Sequence, residues 1–238
     1  MTPPDGEGVA STASISSDVH AQLMQYTACD VSDALLKLHV PGAGHIPDLH
    51  PYGAPAAHES IVVAPVSTIL FAPKGDTLAE PPSNMPDGVH WADLTCSETI
   101  VIMKQPPGQT NAVCGGIMAL RMKARRVAAL IVAGRVRDLT ELRATGLAIS
   151  AYGTSTVGAG AATVPWALQV PLDINGVMVR PGDVALHDPV NGVVVIPRDK
   201  IPQVLELLPK LTTADDKVKE DVLKGVSVHE AFKRHRGA

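Results

Sequence analysis

The sequence predicts an α/β fold in one domain with a mixed sheet. Three observations point there. Residues 99–152 alternate apolar strand-like runs with helix-like ones, the pattern of strand–helix–strand units. Residues 168–196 then give four short apolar runs separated by turn residues, a β-rich half. A chain of 238 residues, 45% of them hydrophobic, is also long enough to bury one good core.

Taken in order, residues 1–17 are rich in Ser, Pro and Gly and read as a flexible tail. Residues 18–37 carry Val19, Leu23, Met24, Val31, Leu35 and Leu36 and read as two helices. Their break is expected near 28–30, with Asp30 or Ser32 as the second N-cap. Residues 39–57, dense in Pro, Gly and His, read as a loop. Short strands are expected at 61–64 and 67–71, and a proline-rich exposed loop at 72–89. The run TIVIMK at 99–104 is a buried strand, and QPPGQT at 105–110 is the turn after it. A helix follows at 116–126, a strand at 128–133, a short helix at 139–145 closed by Gly146, and a strand at 147–152. Beyond a small-residue loop at 153–162 come short strands at 168–170, 177–179, 183–187 and 193–196, with RPGD at 180–183 as a tight turn. Helices at 201–211 and 214–224 and a last amphipathic turn or two at 226–234 complete the chain. The expected organisation is a tail (1–17), an α/β domain (18–200) and C-terminal helices (201–238).

Composition narrows the function classes. The net charge is −4, which gives no electrostatic reason to bind nucleic acid. Two Phe, three Tyr and two Trp provide no aromatic platform for stacking bases. The longest apolar run, 127–134, is far short of a membrane span, and the N-terminus lacks a signal-peptide pattern, so the cytosol is the default expectation. Cys29, Cys96 and Cys114 are far apart and odd in number, which suits free thiols; Cys114 reads as a small buried apolar residue.

The stretch 111–138, NAVCGGIMALRMKARRVAALIVAGRVRD, is the most informative. Its glycine pair, Gly115 and Gly116, opens a helix and exposes backbone N–H groups where the helix dipole favours an anion. Arg137 at the following strand end offers a planar fork for a carboxylate, and Asp138 a hard oxygen for Mg²⁺ or Mn²⁺. Together they suit a small keto-acid beside a metal. The same residues also suit a helix-packing glycine pair and a solvated Arg-Asp.

Several segments resemble the regulator of ribonuclease E activity A family, which includes 4-hydroxy-4-methyl-2-oxoglutarate aldolases and is often mislabelled as dimethylmenaquinone methyltransferase. They are DVSDAL (30–35), QPPGQTNA (105–112), GGIMA (115–119), GRVRD (134–138), RPGDV (180–184) and HDPVNGVVVIP (187–197). The order and spacing of these pieces cover roughly residues 30–231, and QPPGQTNA and HDPVNGV look most like fungal members. The resemblance implies a swivelling β/β/α-type domain in trimers or paired trimers, with the C-terminal helices on the domain or a neighbouring subunit. It also implies a cleft between subunits where a pyruvoyl keto-acid lies on the Gly115–Gly116 turn and the amides of Ile117 and Met118. Arg137 would grip its carboxylate and carbonyl oxygens, and Asp138 would bind Mg²⁺ or Mn²⁺. The implied reaction is metal-dependent C–C cleavage through a pyruvate enolate: retro-aldol cleavage, oxaloacetate decarboxylation, or both.

One departure stands out. The family's aldolases usually carry an acidic residue twenty-one positions before the Arg of Arg-Asp, where this chain has Gly116. Loss of that base predicts weakened aldol cleavage and a preference for decarboxylation. It also keeps two other roles open, a protein-binding regulatory trimer and a scaffold redirected to another reaction. Lesser candidates are His90, Trp91 and Asp93 at the pocket border, Asp188 at a turn, and Tyr152 and Ser155 near the site. His39, His45, His50 and His58 read as loop histidines, not a zinc site. No glycine-rich turn suits a methyltransferase cofactor.

Overall fold

The computed structural model describes residues 14–54 and 60–237. The tail reading therefore falls largely outside the described residues. At its end, Ser16 already accepts the Val19 N–H as the N-cap of α1 (Ser17–Leu23). α2 (Ala28–Lys37) starts where a capping box forms: Thr27 Oγ1 accepts the Asp30 N–H at 3.3 Å, and the Thr27 N–H donates to Asp30 Oδ2 at 2.8 Å. The cap is thus Thr27, one turn before the expected position. Asp30 is its N3 partner, and Ser32 donates instead to the Ala43 carbonyl.

The strands are β1 (His45–Ile46), β2 (His50–Pro51), β3 (Val62–Pro73), β4 (Ile100–Lys104), β5 (Ala129–Val136) and β6 (Ala148–Thr154). They continue with β7 (Thr163–Leu168), β8 (Leu172–Ile174), β9 (Val177–Val179), β10 (Val184–Asp188) and β11 (Gly192–Ile196). The main sheet runs β1-β11-β10-β3-β4-β5-β6-β2, with β7 also paired to β3. β3, β4, β5 and β6 are mutually parallel, and the remaining pairings are antiparallel, so the sheet is mixed as expected. β8 and β9 form a separate hairpin.

The two expected strands at 61–64 and 67–71 are one strand. β3 changes partner at Pro65, where the β10 ladder ends and the β4 ladder begins at Val66. A residue without an N–H is tolerated where a ladder ends, so the proline marks a handover and not a break.

Helices α3 (Gly116–Ala124) and α4 (Leu139–Ala144) cover one face of the parallel strands through Ala119, Met122 and Leu142, packed on Val101, Leu130 and Ile149. The β8–β9 hairpin covers the other face through Leu172, Ile174, Val177 and Val179. α1, α2 and α5 (Ile201–Leu223) share a third cluster with β10 and β11. α5 runs unbroken through Pro209, where two helices were expected. Thr212 and Thr213 turn their hydroxyls back to the carbonyls of Leu208 and Pro209, and Ile201, Val204, Leu208 and Val218 are buried along it. α6 (Val228–His235) folds back on α5, with His235 Nε2 3.0 Å from Asp221 Oδ2.

Candidate active site

The site lies at the carboxyl ends of β4 and β5, on the face that carries α3 and α4. Cys114 bridges to Val136 as a short parallel extension of β5, and the Arg137 N–H donates to the Cys114 carbonyl at 3.0 Å. This clasp sets the two glycines beside Arg137 and Asp138. Gly115 is the N-cap of α3 in extended backbone, and no side chain caps the helix. The first intrahelical bond runs from the Ala119 N–H to the Gly115 carbonyl. The amides of Gly116, Ile117 and Met118 therefore have no helical acceptor and stand at the positive end of the dipole.

Close approach explains the glycine pair. A Cβ on Gly115 would lie 2.9 Å from Asp138 Oδ2 and 3.1 Å from Arg137 Cγ. A Cβ on Gly116 would fall onto Glu141, 2.5 Å from its Cβ and 2.8 Å from its carboxylate carbon. Arg137 lies between Gly115 and Gly158, where a Cβ would be 2.9 Å from Nη1. Its Nε is 3.2 Å from Asp138 Oδ2, and both side chains remain about two-fifths exposed. Asp138 has φ 58° and ψ 50°, a left-handed conformation that Asp tolerates better than most residues. That backbone turns its carboxylate back toward Gly115 while the chain enters α4.

These residues border a cleft of about 200 Å³, lined by Gly115, Ile117, Met118, Arg137, Asp138 and, from the facing loops, His90, Trp91, Gly158 and Ala159. Gly116, next to Gly115, begins α3, and Glu141 of α4 fills the space against it. Trp91 packs edge-on against Phe71, with ring centroids 5.6 Å apart, and the His90 Nδ1 accepts the Ala92 N–H at 3.2 Å. Asp93 is drawn away to Arg121, 2.5 Å distant, and ties this loop to α3. Cys114 is buried beneath the turn, and burial pushes its thiol up to about 12, which makes it an inert packing residue.

Of the sequence candidates, the structure brings together Gly115, Gly116, Ile117, Met118, Arg137 and Asp138, with His90 and Trp91 at the border. Asp188 belongs to its turn: buried, it accepts the N–H groups of Ala28, Val190 and Asn191. Tyr152 faces a different cavity, and Ser155 caps the local turn by accepting the Val157 N–H. Among the described residues no three His, Cys, Asp or Glu side chains cluster as a metal cage; His58 lies outside them.

Glu141 was missed from the sequence. Its signal was its place in the first turn of α4, three residues after Asp138. A carboxylate of α4 fills the space that the glycine at position 116 leaves.

Parallel strands, an amide-lined helix start, an arginine and flanking carboxylates bring together the donors that a small anion would need. The chain belongs to the RraA-like family (Aldolase/RraA), whose model matches residues 28–195. A Halalkalibacterium halodurans protein assigned as a 4-hydroxy-4-methyl-2-oxoglutarate aldolase is 32% identical over 67% of this chain and 70% of its own length. An uncharacterised Methanocaldococcus jannaschii protein is 29% identical over 51% of this chain and 58% of its own. Protein DlpA of Legionella pneumophila is 21% identical over 88% of this chain but only 32% of its own. This chain thus spans less than two-thirds of the latter two relatives. In fold, it resembles an uncharacterised Pseudomonas syringae protein (TM-score 0.73, 21% identity, covering 92% of this chain and 98% of that one). It also resembles Streptomyces coelicolor RraAS2, from the RNase ES inhibitor RraA family (TM-score 0.67, 20% identity, covering 88% and 97%). Among the described residues, no helix is long and apolar enough to cross a membrane.

Proposed function

We propose that this protein is a divalent-metal-dependent carbon–carbon lyase acting on pyruvoyl keto-acids. Its candidate reactions are retro-aldol cleavage of substrates like 4-hydroxy-4-methyl-2-oxoglutarate and decarboxylation of oxaloacetate. The observation that carries this reading is that Arg137 and Asp138 stand against Gly115, and Glu141 against Gly116, at the open amide end of α3.

The donor set fits the implied metal. Asp138 stands against Gly115 and Glu141 against Gly116, two hard carboxylates of the kind Mg²⁺ takes one or two of while keeping water. Asp138 would hold Mg²⁺ or Mn²⁺. Such an ion, when bound, supplies Lewis-acid charge for the developing enolate.

The remaining chemistry belongs to the chain. The substrate carboxylate rests on the amides of Ile117 and Met118, and the Arg137 fork holds its carboxylate and keto oxygens. In retro-aldol cleavage, Glu141 accepts the proton of the substrate hydroxyl, directly or through one water. The C–C bond breaks, a carbonyl forms on the departing half, and its electron pair passes into the pyruvate enolate. Arg137 stabilises that oxygen as charge develops. Decarboxylation sends the electron pair of the departing carboxylate to the same place and needs no base at Glu141.

Because Glu141 supplies the carboxylate, this reading sets aside the expectation that Gly116 weakens aldol cleavage. The assembly proposed with it is a homotrimer or a pair of trimers. The test is pyruvate release from both substrates, with Mg²⁺ and with chelator, for the wild type and for Glu141→Gln. Aldol cleavage that falls while decarboxylation persists supports the role of Glu141. Equal activity of Glu141→Gln on both substrates overturns it.

A further inference from the structure

We propose that the protein carries a second small-molecule site, for an organic oxyanion, on the sheet face opposite the cleft. A cavity of about 490 Å³ opens there between the carboxyl ends of β4, β5 and β6 and the tip of the β8–β9 hairpin. That size falls within the range of small-molecule sites and exceeds what a lone inorganic ion fills.

Its polar groups are arranged for an anion. Lys104 at the end of β4 and Arg135 on β5 both line it, and neither is in an ion pair among the described residues. Arg135 lies flat across Gly153, where a Cβ would come within 2.9 Å of Nη1, and one N–H is fixed on the Thr154 carbonyl at 3.0 Å. The rest of its fork is left for an oxyanion. The Tyr152 hydroxyl accepts the Asn175 amide at 3.1 Å, so its own hydrogen is available as a third donor. Among the described lining residues the one acid is Asp173, which has an oxygen on the Gly176 amide at 2.8 Å and pairs with neither cation; Asp48 lies near Tyr152 outside the lining. Pro106, Pro107 and Ile174 supply apolar wall for the body of a ligand.

The floor is built to hold this shape. Gly134 has no Cβ because Gln105 fills the space, 2.6 Å away at its own Cβ. Buried Gln105 accepts the Arg135 N–H at 2.9 Å and donates to the Asn111 carbonyl at 2.7 Å. The loop pinned by those bonds lines this cavity on one side of the sheet. On the other it leads into Ala112, Val113 and Cys114 of the cleft. Two charged donors and a hydroxyl above an apolar wall define the ligand class as a ring or short chain bearing a carboxylate or phosphate.

The test is calorimetric titration of the full chain with phenyl phosphate, benzoate and phenol. Saturable binding of phenyl phosphate or benzoate, with phenol at least ten-fold weaker, is expected, and the tighter of the two tells phosphate from carboxylate. Lys104→Gln, Arg135→Gln and Tyr152→Phe, each checked for an unchanged melting midpoint without ligand, should each weaken binding, the two charge changes by about ten-fold. Arg137→Gln, which removes the cleft's anion grip, should leave it intact. Phenol binding as tightly as the anions, binding indifferent to Lys104 and Arg135, or binding lost in Arg137→Gln would overturn the proposal.

Discussion

Glu141 stands in the space that a side chain at Gly116 would occupy. The ideal Cβ of Gly116 lies 2.8 Å from the Glu141 carboxylate carbon. The two positions are twenty-five residues apart and on different helices, yet one can carry a carboxylate there only if the other is small. A charge swap follows. Gly116→Asp alone should lose activity, because its Cβ meets Glu141. Gly116→Asp combined with Glu141→Gly should recover aldol cleavage to within about ten-fold of wild type, since the base is restored from the other side. Steady-state pyruvate release for the two singles and the double separates these outcomes. A double variant no better than either single would show that the two positions are not interchangeable.

Gly115→Ala tests the first glycine. Its methyl group would lie 2.9 Å from Asp138 Oδ2 and 3.1 Å from Arg137 Cγ, so both side chains must shift. A misplacement on this scale predicts a fall of about 10²-fold in kcat/KM. The melting midpoint should barely change, because the displaced groups are half exposed. Activity and melting measured together check this, and a large loss of stability would place the glycine in packing instead.

Asp188 is a structural carboxylate with a pH signature. Burial works against its charge, but the Asn191 side chain and the amides of Ala28, Val190 and Asn191 outweigh it and hold the group below the usual carboxylate range. A depressed folded pKa contributes stability that is present above the unfolded value of about 3.9 and lost as pH falls through the folded value. Asp188→Ala should cost about 3 kcal/mol at neutral pH by orphaning the amides it holds. Urea midpoints measured from pH 6 down to pH 2 should fall more steeply for wild type than for Asp188→Asn. Parallel curves would remove Asp188 as the source.

Thr27→Ala breaks the capping box that starts α2 and should destabilise by about 1 kcal/mol. Ser32→Ala, at the position expected from sequence to cap, should cost less, since that hydroxyl bonds only the Ala43 carbonyl. Paired chemical melts rank the two.

The strand–helix–strand core was legible because its runs are long and apolar, and the glycine pair and Arg137-Asp138 fell on element ends where backbone amides and strand termini meet. Long-range compensation was not legible. Pro65 reads as a break because proline removes an N–H, but only the paired sheet reveals that one ladder ends there and another begins. Residues 212–213 read as a gap between two helices, and the buried row through Leu208 and Val218 carries α5 across. Gly116 read as a lost carboxylate because a sequence lists residue types and not the space they leave. Asp173, Asn175 and the β8 strand lay in a segment too short to show periodicity, so the second cavity had no signature in the chain.

The most direct test of the central claim is pyruvate release from 4-hydroxy-4-methyl-2-oxoglutarate and from oxaloacetate, with Mg²⁺ and with chelator, for wild type and Asp138→Asn. The isosteric change keeps a residue that tolerates the left-handed backbone and removes only the charge. The account predicts metal-dependent release by wild type on both substrates and a loss of about 10²-fold or more in the variant. Release that survives chelation, variant activity equal to wild type, or no turnover above the free-metal background on either substrate would contradict it.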